Sequence, residues 1–149
     1  MSANDDPPDE RLWALSFRVS HPSADLADLA DRIGDAFDMD PEVLWQAGDL
    51  RPHAMPPRRH TSSYCSVSWD NQGGTITRAL EDALDALAPL AADLAAIRAG
   101  GGTLGFFVGL FFQRTMGVEL PSALLARMGA AGIELLLDLY GGDWGENST

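Results

Sequence analysis

Residues 103–140, TLGFFVGLFFQRTMGVELPSALLARMGAAGIELLLDLY, constrain the fold more than any other stretch. Leu104, Phe106, Val108, Leu110 and Phe112 alternate with Gly105, Phe107, Gly109 and Phe111. Side chains in a strand repeat every two residues, so the two sets face opposite ways. Ile133, Leu135, Leu137 and Leu139 alternate in the same way with Glu134, Leu136, Asp138 and Tyr140. An aliphatic face backed by a face with two carboxylates predicts a sheet buried on one side. Between the strands, Pro121 suits a first helical turn, where its missing N–H goes unneeded. Leu124, Leu125 and Met128 supply a short apolar stripe, and Gly129 and Gly132 bracket its end.

The upstream chain reads as material that completes this sheet. Trp13, Leu15, Phe17 and Val19 face inward from a strand over 12–20, with Ala14, Ser16 and Arg18 outward and His21-Pro22 ending it. Ser23 is the expected cap of a first helix, with Asp25 in its first turn. Leu26, Leu29, Ile33 and Phe37 form that helix's apolar stripe, and its other side is acidic. Val43 to Gln46 predicts a short strand. Residues 62–69, SSYCSVSW, predict another, with Cys65, Val67 and Trp69 inward and Tyr64, Ser66 and Ser68 outward.

The strongest helical signal follows. Thr75 is a candidate cap, after which Ile76, Leu80, Leu84, Leu87, Leu90, Leu94 and Ile97 recur at intervals of three and four. Pro89 removes one hydrogen bond and crowds the preceding turn, which predicts a kink or restart near Leu87 or Ala88. The first six elements thus run in the βαββαβ order of ferredoxin-like folds. The expected fold is α+β: a ferredoxin-like antiparallel sheet with helices on one face, extended by an extra C-terminal helix and strand. Residues 1–10 read as a disordered acidic tail, 11–141 as a single α+β domain, and 142–149 as a C-terminal tail in which Trp144 returns to a sheet edge.

Composition bears mainly on partners. The 149-residue chain has 22 acidic and 10 basic residues, a formal net charge of −12, and every basic residue is arginine. A nucleic-acid binder neutralises phosphates with clustered cations, so nucleic acid is excluded as a partner, and so is an anionic membrane surface. The acidic start has no apolar run and no segment nears the roughly 20 residues of a membrane helix, so the expected location is the cytoplasm. Lone Cys65 has no disulfide partner within the chain and fits a reducing compartment.

The chain resembles the bacterial domain of unknown function 4279 family over most of residues 12–140. The resemblance rests on LSFRVS, DPEVLWQAGD, SSYCSVSW and SALLARMGAAGIELLLDLY, none of them a catalytic signature. It implies no activity, cofactor or site residue. It does imply an association of some members with immunity against bacterial toxins.

No phosphate loop, metal motif or nucleophile elbow is present. Gly100-Gly101-Gly102 closes a helix and opens a strand, the reverse of a nucleotide-binding order. His53, His60 and Asp49 share one stretch, a weak acid–base candidate beside the plainer reading of an ordinary loop. Arg51 to His60 is a basic loop expected to pair with the carboxylates of the first helix, or else to hold an anion. The outward sheet face is the better candidate site. Arg18, Tyr64, Ser66, Phe107, Phe111, Leu136, Asp138 and Tyr140 project there, with Gly105 and Gly109 leaving shelves beside the rings. Four occupants compete: the chain's own loop, the extra C-terminal helix, a second copy in a homodimer, and a separate partner or ligand. The expected function is a non-enzymatic interaction domain, immunity- or antitoxin-like, with no cofactor and a basic protein as partner. The alternative is a small-ligand-binding regulatory domain with the ligand beside Arg18 and Tyr64.

Overall fold

The structure, a computed structural model, describes residues 13–70, 74–115 and 117–141. The expected acidic tail, the centre of the 70–74 loop and the return of Trp144 lie outside the described residues. The chain order is β1 (Trp13–His21), α1 (Ala27–Phe37), β2 (Val43–Trp45), β3 (Ser63–Asp70), α2 (Ile76–Leu87), a 3₁₀ turn (Ala88–Leu90), α3 (Ala91–Ala99), β4 (Thr103–Phe111), α4 (Ser122–Ala131) and β5 (Ile133–Tyr140). The fold is mixed α+β, with a five-stranded sheet ordered β2-β3-β1-β4-β5.

Four strands pair antiparallel, but β5 runs parallel to β4, with Leu104 opposite Ile133 and Phe111 opposite Tyr140. The antiparallel expectation therefore fails at the last strand. The reason is the connection: a chain that leaves β4 through a helix re-enters the sheet in the same direction.

Period-two alternation places Leu15, Phe17, Val19, Cys65, Val67, Leu104, Phe106, Val108 and Leu110 on one buried face. The helices pack on this side. Leu29 and Ile33 come from α1 and Leu26 from the residue before it; Ile76, Leu80, Leu84 and Leu87 from α2; Leu90 and Leu94 from the turn and α3; Leu124 and Met128 from α4. The break at Pro89 falls where the proline demands it, between α2 and α3. Thr75 caps α2, its hydroxyl oxygen accepting from the Arg78 amide at 3.1 Å.

Three local expectations are corrected. Ser23 is not the cap of α1, which begins at Ala27. The His21 Nδ1 accepts the Ser23 and Ala24 amides, Asp25 accepts the Ala27 amide, and the Gln46 amide oxygen accepts from Leu26 N–H. Leu125 is not part of the apolar stripe of α4, since it faces solvent. The aliphatic face of β5 is not buried along its length: Ile133 is buried, while Leu137 and Leu139 are 44% and 62% exposed. Ten residues of helix span about 15 Å and eight of strand about 26 Å, so α4, folding back from Gly132, is too short to cover β5.

Candidate functional site

The face opposite the helices carries the expected candidates. Register sets their places: Arg18 lies level with Ser66 and Gly105, Ser16 with Ser68 and Phe107, and Phe107 with Leu136. Asp70, Ala14, Gly109 and Asp138 fall in the next row, and Phe111 with Tyr140 lies at the end of β4 and β5.

Within this face lies a shallow trough of about 220 Å³. Its walls are built from stacked planar groups. The Arg18 guanidinium lies over the Phe107 ring at 3.8 Å from the centroid, and its Nε donates to Ser16 Oγ at 3.1 Å. Phe111 and Tyr140 stack with centroids 4.8 Å apart and planes 7° from parallel. Asp70 and Asp138 stand at the two ends of one cross-strand row, three strand spacings or about 14 Å apart. Neither carboxylate meets an Arg within 4.0 Å among the described residues.

The glycines act differently from expectation. A Cβ on Gly105 would stand 3.2 Å from the Phe107 ring, and one on Gly109 would stand 3.3 Å from the Phe111 ring. The rings lie down over the glycines, so the anticipated shelves are filled by the chain's own aromatics. Gly at these positions lets each ring approach the backbone closely.

The structure brings Arg18, Phe107, Phe111, Asp138 and Tyr140 together in the trough and leaves Tyr64 out of it. Tyr64 lies level with Ser20, at the far end of β1. It stacks on Trp45 at 4.7 Å, and His60 also stacks on Trp45, at 4.1 Å. Arg18 turns toward Phe107, so Arg18 and Tyr64 line no common pocket. Sequence reasoning missed Asp70, Ser16 and Ser68 as lining residues. Extending the period of Ser66 and Ser68 one step past Trp69 would have found Asp70.

The basic loop is a small hairpin-like arm. Leu50 bridges Arg59, Gly48 N–H donates to His60 O, and His60 N–H donates to Asp49 O at 2.7 Å. Arg59 donates to Gly48 O at 2.8 Å. Among the described residues, no carboxylate of α1 pairs with Arg51, Arg58 or Arg59, contrary to expectation; Arg32, within α1, takes Asp28 and reaches Asp93 of α3. His53 holds a left-handed backbone, φ 63°, at the tip of the arm, while the His60 ring is taken up by Trp45. No group of three or more His, Cys, Asp or Glu side chains is placed to hold a metal ion among the described residues. Burial pushes the Cys65 thiol up to about 11, since desolvation disfavours the thiolate. A neutral, enclosed thiol is a poor nucleophile.

A larger concavity than the trough, about 610 Å³, lies elsewhere. It sits at the start of α2 between Trp13, Thr77 and Leu110 on one side and residues 117–119 on the other. Among the described residues of its lining, Glu119 is the one titratable group. No described helix is long and apolar enough to cross a membrane.

A family model described as Domain of unknown function (DUF4279) matches residues 11–142. No curated protein and no solved structure matches the chain.

Proposed function

We propose that this chain, which belongs to the Domain of unknown function (DUF4279) family, is a non-enzymatic interaction domain that takes a basic protein on the open face of its sheet. The carrying observation is the trough: two carboxylates, Asp70 and Asp138, stand with one stacked aromatic pair, Phe111–Tyr140, and one guanidinium–ring stack, Arg18–Phe107. A partner's arginine laid on the Phe111–Tyr140 stack meets a ring face and the Asp138 carboxylate together, which adds a cation–π contact to an ion pair. The net charge of −12 would steer such a partner toward the surface. An immunity- or antitoxin-like role in the cytoplasm is the biological use this reading favours. The order β2-β3-β1-β4 supports taking the first six elements as a ferredoxin-like unit to which α4 and β5 are appended.

A small ligand is the weaker reading. At about 220 Å³ the trough falls below the roughly 300–1,000 Å³ of ordinary ligand pockets, and Tyr64 does not line it. The test is affinity capture from native lysate with the wild-type chain and with an Asp70→Lys/Asp138→Lys chain of unchanged circular dichroism. The expected result is a basic protein held by the first bait and lost by the second, with association slowing steeply as salt rises. A partner held equally by both baits, or indifferent to salt, overturns the reading.

A further inference from the structure

The outer edge of β5 is unlike the rest of the sheet. It is eight residues long and exposes large apolar side chains on both sides, Leu136 and Tyr140 beside Glu134 and Asp138 on the open face and Leu137 and Leu139 on the helix side. It contains no Lys, Arg or Pro, and its two charges, Glu134 and Asp138, both lie on the open face and leave the helix side of the edge without one. A ligand on either face would cover half of this surface. A strand added beside β5 covers both halves, because it carries its own two faces with it.

We infer that this edge pairs with the same edge of a second copy, β5 antiparallel to β5, joining two five-stranded sheets into one. The goodness of fit lies in two independent features. The first is the uneven cover along β5. Antiparallel pairing sets Leu139, which α4 fails to reach, beside Leu135 of the partner subunit, which is half-buried next to the helix-covered Ile133 end. Each uncovered half meets a covered half. The second is charge. With the two-fold axis at Leu137, Glu134 lies opposite the partner's Tyr140 and Asp138 opposite the partner's Leu136. Moving the axis to Leu136 sets Glu134 against the partner's Asp138, and moving it to Asp138 sets that carboxylate against itself. Directly opposed like charges are unfavourable, so of these three central registers, which keep most of β5 paired, the Leu137 one is selected.

The remainder of the chain suits the edge less well. Residues 1–10 carry four carboxylates and the pair Pro7-Pro8, which cannot donate to a ladder. Residues 142–149, GDWGENST, offer one large apolar side chain against four exposed on β5. Because each protomer carries −12, the pairing works against long-range repulsion and tightens as salt screens it. A basic partner in the trough shows the opposite salt dependence, which keeps the two associations apart.

Sedimentation velocity of the full chain over a dilution series tests this. The expected result is a dimer of twice the 16.0 kDa chain mass, strengthened by salt. Leu137→Lys, at a position already 44% exposed, keeps the fold and raises the dissociation constant by about a hundredfold or more, because each dimer loses two buried leucines. A second measurement stands apart from that variant. A short bis-maleimide links Leu137→Cys chains, whose thiols face each other across the axis. It leaves Glu134→Cys chains unlinked, since six residues of strand, about 20 Å, separate theirs. A monomer at every concentration overturns the inference, as does a dimer that survives Leu137→Lys or equal linking of both cysteine variants. Dimerisation only after truncation at Gly141 overturns it too, and assigns the edge to the chain's own C-terminal residues.

Discussion

Phe106 and Phe107 are adjacent in β4 and differ in nearly everything else. Phe106 is 0% exposed, tilted against Phe17 at 5.3 Å, with the core of four helices above it. Phe107 lies flat over Gly105 beneath the Arg18 guanidinium, on a face without helices. One ring is held by close packing on all sides, the other by a backbone approach and a single cation. The contrast separates the part of the sheet that makes the fold from the part left available for recognition. Interior packing leaves no volume to spare, whereas the outer face tolerates change.

The sharpest way to break this contrast is truncation of the inner ring. Phe106→Ala is expected to cost about 3–5 kcal/mol in urea unfolding, the lost transfer energy plus the cavity left behind. A loss below about 1 kcal/mol would mean that the helix layer does not close over β4. The next effect is a pH dependence on the same face. Cys65 is buried in β3, and its thiol is held up at about 11 against an ordinary 9.0. In the unfolded chain the proton leaves near pH 9, while the folded chain keeps it to about 11. The stability linked to this group is complete below pH 9 and declines as pH rises through 11, by about 2–3 kcal/mol. Comparison with Cys65→Ala isolates it: the variant should lose less stability than the wild type over that window.

Much of the inner face was legible in the sequence, because period and punctuation are local. The stripe from Ile76 to Leu94 and the break at Pro89 follow from spacing and from proline's missing donor. The alternation in β1, β3 and β4 follows from strand geometry. What escaped reading was non-local. Gln46, 20 residues downstream, accepts the Leu26 amide just ahead of α1, and α1 takes no side-chain cap, so Ser23 was a reasonable cap on local grounds and still the wrong one. Trp45 and His60 draw Tyr64 away from Arg18, a three-ring stack that depends on how β2 and the arm pair. The candidate site was therefore legible as a face but not as a trough. Period two says which way a side chain points, not which way it leans.

On the outer face, Phe107→Ala should cost only about 1 kcal/mol, the scale of an exposed cation–π contact with some lost packing. A double-mutant cycle with Arg18→Ala should recover a coupling of about 0.5–1 kcal/mol, and additive losses would mean that the guanidinium and ring do not interact in solution. The same pair of variants sharpens the functional reading. Phe107→Ala leaves the Phe111–Tyr140 stack and both rim carboxylates in place, so a partner bound through Asp138 should survive it better than it survives charge reversal.

The smallest expected effect comes where the distinction between faces gives way. Leu110 and Leu139 are register partners on the helix side of β4 and β5, yet Leu110 is 4% exposed and Leu139 is 62% exposed. Leu110→Ala should cost about 2–5 kcal/mol, whereas Leu139→Ala in the monomer should stay within about 0.5 kcal/mol. If β5 pairs with a second copy, Leu139 moves beside the partner's Leu135 and the cost of its loss becomes dependent on concentration. The Leu110 penalty is internal to the chain and should stay constant over the same dilution series. A Leu139→Ala penalty as large as that of Leu110→Ala, and equally constant on dilution, would show that something within the chain already covers the end of β5.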